Sequence, residues 1–154
     1  MGGHRTIVGV NVTNVGSDMG SLAPMVEQIA ERTGHLPTVL LADGGHAKFQ
    51  DIVETRRMGV RVLVPASKTA APIDKLKQDL AHPGIIAWRE DMETDEAKRL
   101  YRARAGLCEL ANAHQKSHHG VTQFLVTGLA KVTCVILMNA IASNILQHAP
   151  RLLS

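Results

Sequence analysis

Four polar side chains in the C-terminal third are spaced so that they could act together on a phosphate ester. Tyr101, Arg104, Glu109 and Lys116 lie in a stretch whose apolar residues recur at helical spacing. At about 100° of rotation per residue, the four fall within roughly 140° of one another, opposite the apolar stripe. A carboxylate beside an arginine, a lysine and a tyrosine can hold a metal ion while the cations bind phosphates. An ordinary amphipathic helix with a solvated polar face has the same pattern.

A second candidate carboxylate follows a predicted strand. Residues 37–42 are a short run of mostly aliphatic and β-branched side chains, and Asp43-Gly44-Gly45 comes directly after them. The run is typical of a buried strand, and Asp-Gly-Gly is typical of a tight turn. Because open α/β sheets place ligands at the carboxyl ends of their strands, Asp43 is a candidate site residue. Its alternative role is to form the turn.

Together, these two elements resemble the DDE transposases of bacterial insertion sequences, whose catalytic core has the ribonuclease H-like fold. The similarity runs from IVGVNVTNVGSDMGSLAPMVEQI through TGHLPTVLLADGGH to the Tyr101 to Lys116 helix. In that family a strand-end aspartate in an ADGG-like turn is the second catalytic carboxylate, and Asp43 matches it. The glutamate of a Tyr-Arg-Glu-Lys helix is the third, and Glu109 matches it, with six residues between it and Lys116. Four residues separate Arg104 from Glu109, one more than in the tightest form of the signature.

The resemblance implies a chemistry, a cofactor and a substrate. Asp43 and Glu109 would be metal ligands for Mg²⁺ or Mn²⁺, hard cations that suit cleavage and strand transfer at phosphodiesters. Arg104 and Lys116 would hold backbone phosphates, and Tyr101 would contact the DNA beside them. The implied partner is double-stranded DNA, at the transposon ends and at the target.

One element of the family signature is missing from the sequence. The family's first catalytic aspartate lies on the first strand of the sheet, just before the segment that begins here at Arg5, and Met1 to His4 contain no carboxylate. Asp18, the first acidic residue, follows Gly-Ser and is predicted to cap a helix or to lie in its first turn. We therefore expect the C-terminal part of a transposase, without the first aspartate and inactive alone.

Two other functions fit parts of the same pattern. A non-catalytic remnant could bind or regulate a full-length transposase, or form a homo-oligomer. Another ribonuclease H-like nuclease, such as a resolvase, is disfavoured by the Tyr-Arg-Glu-Lys pattern. His46, after the Asp-Gly-Gly turn, could touch the edge of a metal site or serve as a polar residue at a helix start.

Composition is that of one globular domain spanning residues 1–154. The chain carries a net charge of +3, which allows nucleic acid as a partner, and its four aromatic residues disfavour modules that stack bases. Two distant cysteines, Cys108 and Cys134, suit the reducing bacterial cytoplasm. The apolar stretch 121–147 contains Lys131 and several amides, so we expect a core helix and no membrane span.

Hydrophobic periodicity predicts an α/β fold, a partial ribonuclease H-like fold with a mixed sheet, flanking helices and C-terminal helices. The region 66–92 is expected to be a short irregular insertion, and 94–148 a helical part that begins at a Thr94 or Asp95 cap. The acids around that start are expected to be mostly solvent-facing: Glu90, Asp91, Glu93, Asp95 and Glu96. The remaining predicted elements are strands 5–13, 37–42 and 60–64, the last two parallel, and helices 18–33 and 46–57.

Overall fold

The computed structural model describes residues 6–17, 19–67, 70–78, 82–104 and 124–152, with side chains to residue 149. The chain separates into two compact units. One comprises Val15–Arg104, and the other comprises Met1–Asn14 with Ala105–Ser154. The α/β class is confirmed in the first unit, which combines helices with a small parallel sheet.

Helix α1 spans Leu22–Thr33 and confirms the helix predicted for residues 18–33. Gly34 ends it as predicted, at a φ of 78°, where its N–H donates to the carbonyl oxygen of Ala30 at 2.8 Å. Glycine is favoured at this left-handed position because it has no Cβ. Asp18, the predicted cap, lies outside the described residues.

A two-stranded parallel sheet confirms two of the three predicted strands. Strand β1 spans Val39–Leu41 and β2 spans Arg61–Leu63, with Val39 opposite Arg61. Helix α2, Phe49–Arg57, connects them as a crossover. Since parallel strands require such a crossover, the β-α-β order in the sequence sufficed to predict this arrangement.

The expectation of an irregular stretch over 66–92 is wrong. Its described residues include helix α3, Ile73–Gln78, and helix α4, Pro83–Glu93. Pro83 starts α4, where a missing N–H costs nothing, and the Nδ1 atom of His82 accepts from the Gly84 N–H at 3.1 Å. Pro83, which suggested irregular structure in the sequence, is therefore the first residue of a helix.

Helix α5 occupies residues 95–104 at the end of this unit. The predicted Thr94 cap is confirmed, because its hydroxyl oxygen accepts from the Ala97 N–H at 3.2 Å. Glu109 and Lys116, predicted on the same helix, lie outside the described residues.

The core of the first unit lies between β2 and helices α1, α2 and α4. Its central buried side chains are Leu22, Ile52, Val62, Val64 and Trp88. The Phe49 ring packs against Trp88 at a tilt, with 5.9 Å between ring centroids. Helix α4 therefore contributes the largest side chain of the core.

Asp91 departs from the expectation that the acids near the start of α5 face solvent. Glu90, Glu93, Asp95 and Glu96 are exposed as expected, whereas Asp91 is partly buried beside two arginines. Arg61 donates to both of its oxygens, at 2.7 Å from Nη2 and 3.1 Å from Nε, and Arg56 donates at 3.4 Å. These ion pairs tie α4 to the sheet and to α2.

The ion pairs of Asp91 with Arg56 and Arg61 should make the stability of the fold depend on pH. Hydrogen bonding from Arg61 holds the pKa of Asp91 below its ordinary value of 3.8, so the ion pairs stabilise the fold fully above that pH. The stabilisation is lost as the pH falls through the lower folded-state pKa. We expect the melting temperature of Asp91→Asn to lie below that of the unaltered chain at neutral pH, and the difference to close in strong acid. For the exposed control Asp74→Asn, the difference in melting temperature from the unaltered chain should not shrink in this way in acid. A melting-temperature difference for Asp91→Asn that stays the same at low pH would contradict the assignment.

The predicted first strand, 5–13, is wrong over its described residues, because residues 6–13 form no strand. In the second unit, the N–H of Ile7 donates to the side-chain oxygen of Asn144, and its carbonyl accepts from the Asn144 amide, both at 2.8 Å. A strand needs a neighbouring strand to pair its backbone, whereas here a side-chain amide pairs with Ile7.

Asn144 belongs to helix α6, Leu129–Leu152, which the sequence predicted as a core helix over 121–147. The helix is confirmed, but the core position is wrong. Among the side chains that the structure describes on α6, Ala140 is the buried hydrophobic one. Met138, Ile141 and Ile145 are more than half exposed. The segment Leu129–Ala149 is long and apolar enough to cross a membrane by length and composition.

Candidate active site

Asp43 lies just past the carboxyl end of β1. The Ala42 N–H still pairs with the Leu63 carbonyl at 3.2 Å, so the sheet extends to the residue before it. Asp43 begins a short 3₁₀ helix, Gly44–His46, and its Oδ1 accepts from the Gly45 N–H at 3.1 Å. Asp43 therefore also forms the turn, its alternative predicted role. The Asp43 side chain is also 51% exposed, so its carboxylate can accept further ligands.

Arg104 reaches Asp43 from α5, across 61 positions in the sequence. Its Nη2 donates to the Asp43 Oδ2 at 3.2 Å. The guanidinium carbon also lies 5.8 Å from the centroid of the Tyr101 ring, a distance at which a cation is attracted to the ring face. Tyr101 and Arg104 therefore share one face of α5, as their spacing of three predicts.

The Arg104 guanidinium is only partly satisfied by these contacts. Its side chain is 24% exposed, and its Nε is buried and has no hydrogen-bond partner in the described chain. A buried donor without a partner costs free energy, because water can no longer reach it. The cationic group at this site therefore has capacity for another acceptor.

His46 and Ser21 complete the surroundings of Asp43. The His46 Nε2 lies 3.7 Å from the Asp43 Oδ1, beyond hydrogen-bond distance, and its Nδ1 lies 2.8 Å from the Ser21 hydroxyl. His46 therefore lies close to Asp43, and a role for it at the edge of a metal site stays a prediction. Ser21 was missed, and no sequence signal indicated it, because only tertiary structure brings it to His46.

This geometry fits a hard cation only in part. Each Asp43 oxygen accepts one hydrogen bond from the described part of the chain and keeps a second lone pair, and carboxylate oxygens are the ligands that Mg²⁺ prefers. Across the described residues, however, there is no group of three or more histidines, cysteines or acids that could hold a metal ion. A metal at Asp43 therefore needs a further ligand from beyond these residues, and Glu109 is the predicted one.

A protein family matches part of the chain. Residues 75–149 match the family described as a transposase DDE domain. The resemblance to DDE transposases is confirmed over this segment. The comparisons with curated proteins and with solved structures gave no match.

The matched segment contains Tyr101, Arg104, Glu109 and Lys116 and begins downstream of Asp43. The family match therefore covers four of the five predicted site residues. The Arg104 to Asp43 contact brings a residue inside the match to a residue outside it. This contact joins the two halves of the candidate site.

Proposed function

We propose that this chain is the C-terminal part of a DDE transposase catalytic domain with the ribonuclease H-like fold, acting in DNA transposition of a bacterial insertion sequence in the cytoplasm. The transposase DDE match over residues 75–149 supports the family. The observation that carries the site is the contact between Arg104 of α5 and Asp43 at the end of β1. The ion pair brings two signature residues of opposite charge to one place.

In this proposal Asp43 and Glu109 hold Mg²⁺ or Mn²⁺. When bound there, such a cation would supply neutralisation of charge on the scissile phosphate and activation of the attacking oxygen. Arg104 and Lys116 hold the DNA backbone by charge-assisted hydrogen bonds, and Tyr101 contacts the DNA beside them. Asp43 is suited to its role because it is exposed at a strand end, where its position is set by the Gly45 N–H.

The sequence offers two carboxylates that match the family's second and third, Asp43 and Glu109, and its first acid, Asp18, is predicted to cap a helix or to lie in its first turn. We therefore propose that the chain alone neither cleaves nor joins DNA. Purified chain incubated with transposon-end DNA and Mg²⁺ should yield no product. Strand transfer abolished by Glu109→Ala would contradict this proposal.

Metal binding gives a direct test that does not require catalysis. Isothermal titration with Mn²⁺ should detect a site that Asp43→Asn weakens about tenfold or more, because a lost ligand costs at least as much as a lost outer-shell partner. Glu109→Gln should weaken it similarly. Asp74→Asn removes the same charge from exposed α3 and is the matched control. Equal Mn²⁺ affinity in Asp43→Asn and Asp74→Asn would remove the proposed metal role.

A second candidate function is supported by the exposed apolar side chains of α6. A remnant without catalysis could bind a full-length transposase, and Met138, Ile141 and Ile145 offer apolar surface for such a contact. Co-purification with a full-length transposase, without Mn²⁺ binding at Asp43, would favour this function over the first. Mn²⁺ binding at Asp43 would favour the catalytic fragment.

A further inference from the structure

We infer that helix α6 pairs with α6 of a second copy of this chain, in antiparallel orientation, through one exposed stripe of side chains. The stripe consists of Cys134, Met138, Ile141 and Ile145, and we call it the α6 seam. The inference uses no residue of the candidate active site and does not require a full-length transposase. It therefore rests on neither function proposed above, and it names the partner helix.

The spacing of the α6 seam is that of a helix–helix interface. Its residues are four, three and four positions apart, so they fall within about 60° of one another around the helix. Alternating steps of three and four are the spacing with which paired helices contact each other in coiled coils. Met138, Ile141 and Ile145 are 67%, 54% and 58% exposed, and Cys134 is exposed as well. The seam therefore faces solvent in a single copy.

The folded chain covers a different side of α6. Ala140 is buried, and the Asn144 amide exchanges two hydrogen bonds of 2.8 Å with the backbone of Ile7. Both residues lie about 120–160° around the helix from Met138. Contacts within the chain thus use one side of α6 and leave the α6 seam for a partner.

A second helix fits the α6 seam better than lipid does. The segment Leu129–Ala149 is long and apolar enough to cross a membrane, but a spanning helix is apolar all round and has lipid on every side. Here the Asn144 side holds a segment of polar backbone at Ile7. An apolar stripe along one side, at coiled-coil spacing, matches another helix with the same stripe.

The α6 seam is symmetric about the midpoint between Asn139 and Ala140. If two copies pair in antiparallel orientation about that point, each Cys134 faces Ile145 of the other copy. Each Met138 then faces Ile141 of the other copy. Such a two-fold interface is self-complementary, because every contact occurs twice. One stripe therefore supplies both sides of four apolar layers.

Charge favours the antiparallel orientation. Lys131 is exposed, continues the seam three residues before Cys134, and is the one formally charged residue between Leu129 and Ala149. A parallel pair would place two Lys131 side chains together at two positive helix N-termini. In the antiparallel pair, each Lys131 lies beside the last turns of the other helix, where the negative end of the dipole favours a cation.

The first experiment is sedimentation equilibrium of the full chain in reducing buffer, at roughly 1–100 µM. Four apolar layers make a small interface, so we expect a dimer with a roughly micromolar dissociation constant. Ile141→Glu puts a buried charge into two of the layers and should raise that constant about 100-fold or more, tenfold or more for each layer. Gln147→Glu, which adds the same charge at an exposed position about 180° from Met138, is the matched control and should leave the dimer unchanged. Equal helix content by circular dichroism shows that both variants fold.

Disulfide cross-linking tests the orientation. Both test chains carry Cys108→Ser, which removes the other thiol of the sequence, and both are oxidised with copper phenanthroline in air. In an antiparallel pair the two Cys134 residues lie about 16 Å apart along the axis, too far for a disulfide. Cys134 alone should therefore give no cross-linked dimer, whereas adding Ile145→Cys should give one.

Each contrary outcome overturns a stated part of the inference. An unaltered chain that is monomeric at every concentration, or a dimer that Ile141→Glu leaves intact, would remove the α6 seam as an interface. A disulfide through Cys134 alone would overturn the antiparallel orientation. A monomer that sediments with phosphatidylcholine–phosphatidylglycerol vesicles, and fails to do so as Ile141→Glu, would assign the seam to a lipid surface. None of these results bears on Asp43, whose metal role is tested by Mn²⁺ titration.

Discussion

Replacing Trp88 with alanine is expected to lower the free energy of unfolding by about 3–5 kcal/mol, the usual cost of deleting a large buried aromatic side chain. Trp88 is fully buried, packs with Ile52 and Val62, and lies against the Phe49 ring. Its removal leaves a cavity where α4 meets the sheet. Since the free energy of unfolding of a domain is about 5–15 kcal/mol, this single substitution would remove a large fraction of it.

The Trp88 prediction is measured by urea denaturation followed by circular dichroism, because Trp88 is the single tryptophan and its fluorescence is lost in the variant. Trp88→Phe is the matched control. The Trp88 Nε1 is buried without a hydrogen-bond partner in the described chain, so phenylalanine removes an unsatisfied donor while keeping an aromatic ring. We expect a cost of about 1–2 kcal/mol for phenylalanine. Equal stability of Trp88→Ala and the unaltered chain would show that α4 is not part of the core.

Replacing Asp51 with alanine is expected to cost about 3 kcal/mol, because two buried N–H groups each lose their acceptor. Asp51 is 5% exposed on α2, yet its carboxylate accepts from the N–H groups of Leu22 and Ala23 at 2.9 and 3.0 Å. It therefore caps α1 from another helix. The first N–H groups of a helix have no partner within it, and a negative charge there also favours the helix dipole.

The stability of Asp51→Ala is measured by thermal and urea unfolding, and two further variants serve as controls for the capping role. Asp51→Asn keeps one acceptor oxygen and should cost roughly half as much. Ser21 occupies the position before α1 where a capping hydroxyl is usual, but it makes no capping bond, so Ser21→Ala should cost about 1 kcal/mol or less. A larger loss from Ser21→Ala than from Asp51→Ala would reverse the assignment of the cap.

Sequence patterns succeeded where the deciding interaction is local. Gly34 ends α1 because only a residue tolerant of positive φ fits there, and Thr94 starts α5 because its hydroxyl reaches an N–H three residues on. Both signals lie within a few residues of the structure that they specify. The aliphatic runs of β1 and β2 were visible for the same reason, and so was the Tyr101 and Arg104 face of α5.

Patterns failed where the outcome depends on a distant partner. Residues 6–13 read as a strand, but a strand forms only beside another, and Ile7 pairs with the Asn144 side chain instead. Apolar content made α6 a predicted core helix, yet burial depends on what surrounds a helix rather than on its composition. Pro83 suggested a loop until its position at the start of α4 showed otherwise.

By itself, the sequence determined the α/β class, the parallel pair of strands, and the resemblance to a transposase DDE domain over residues 75–149, because hydrophobic period, caps and motif spacing are properties of neighbouring residues. Only the tertiary structure decided that Asp51 caps α1 and that Arg104 lies against Asp43, contacts that span 29 and 61 positions. No local pattern encodes such pairs, because their distance is set by how the helices pack on the sheet.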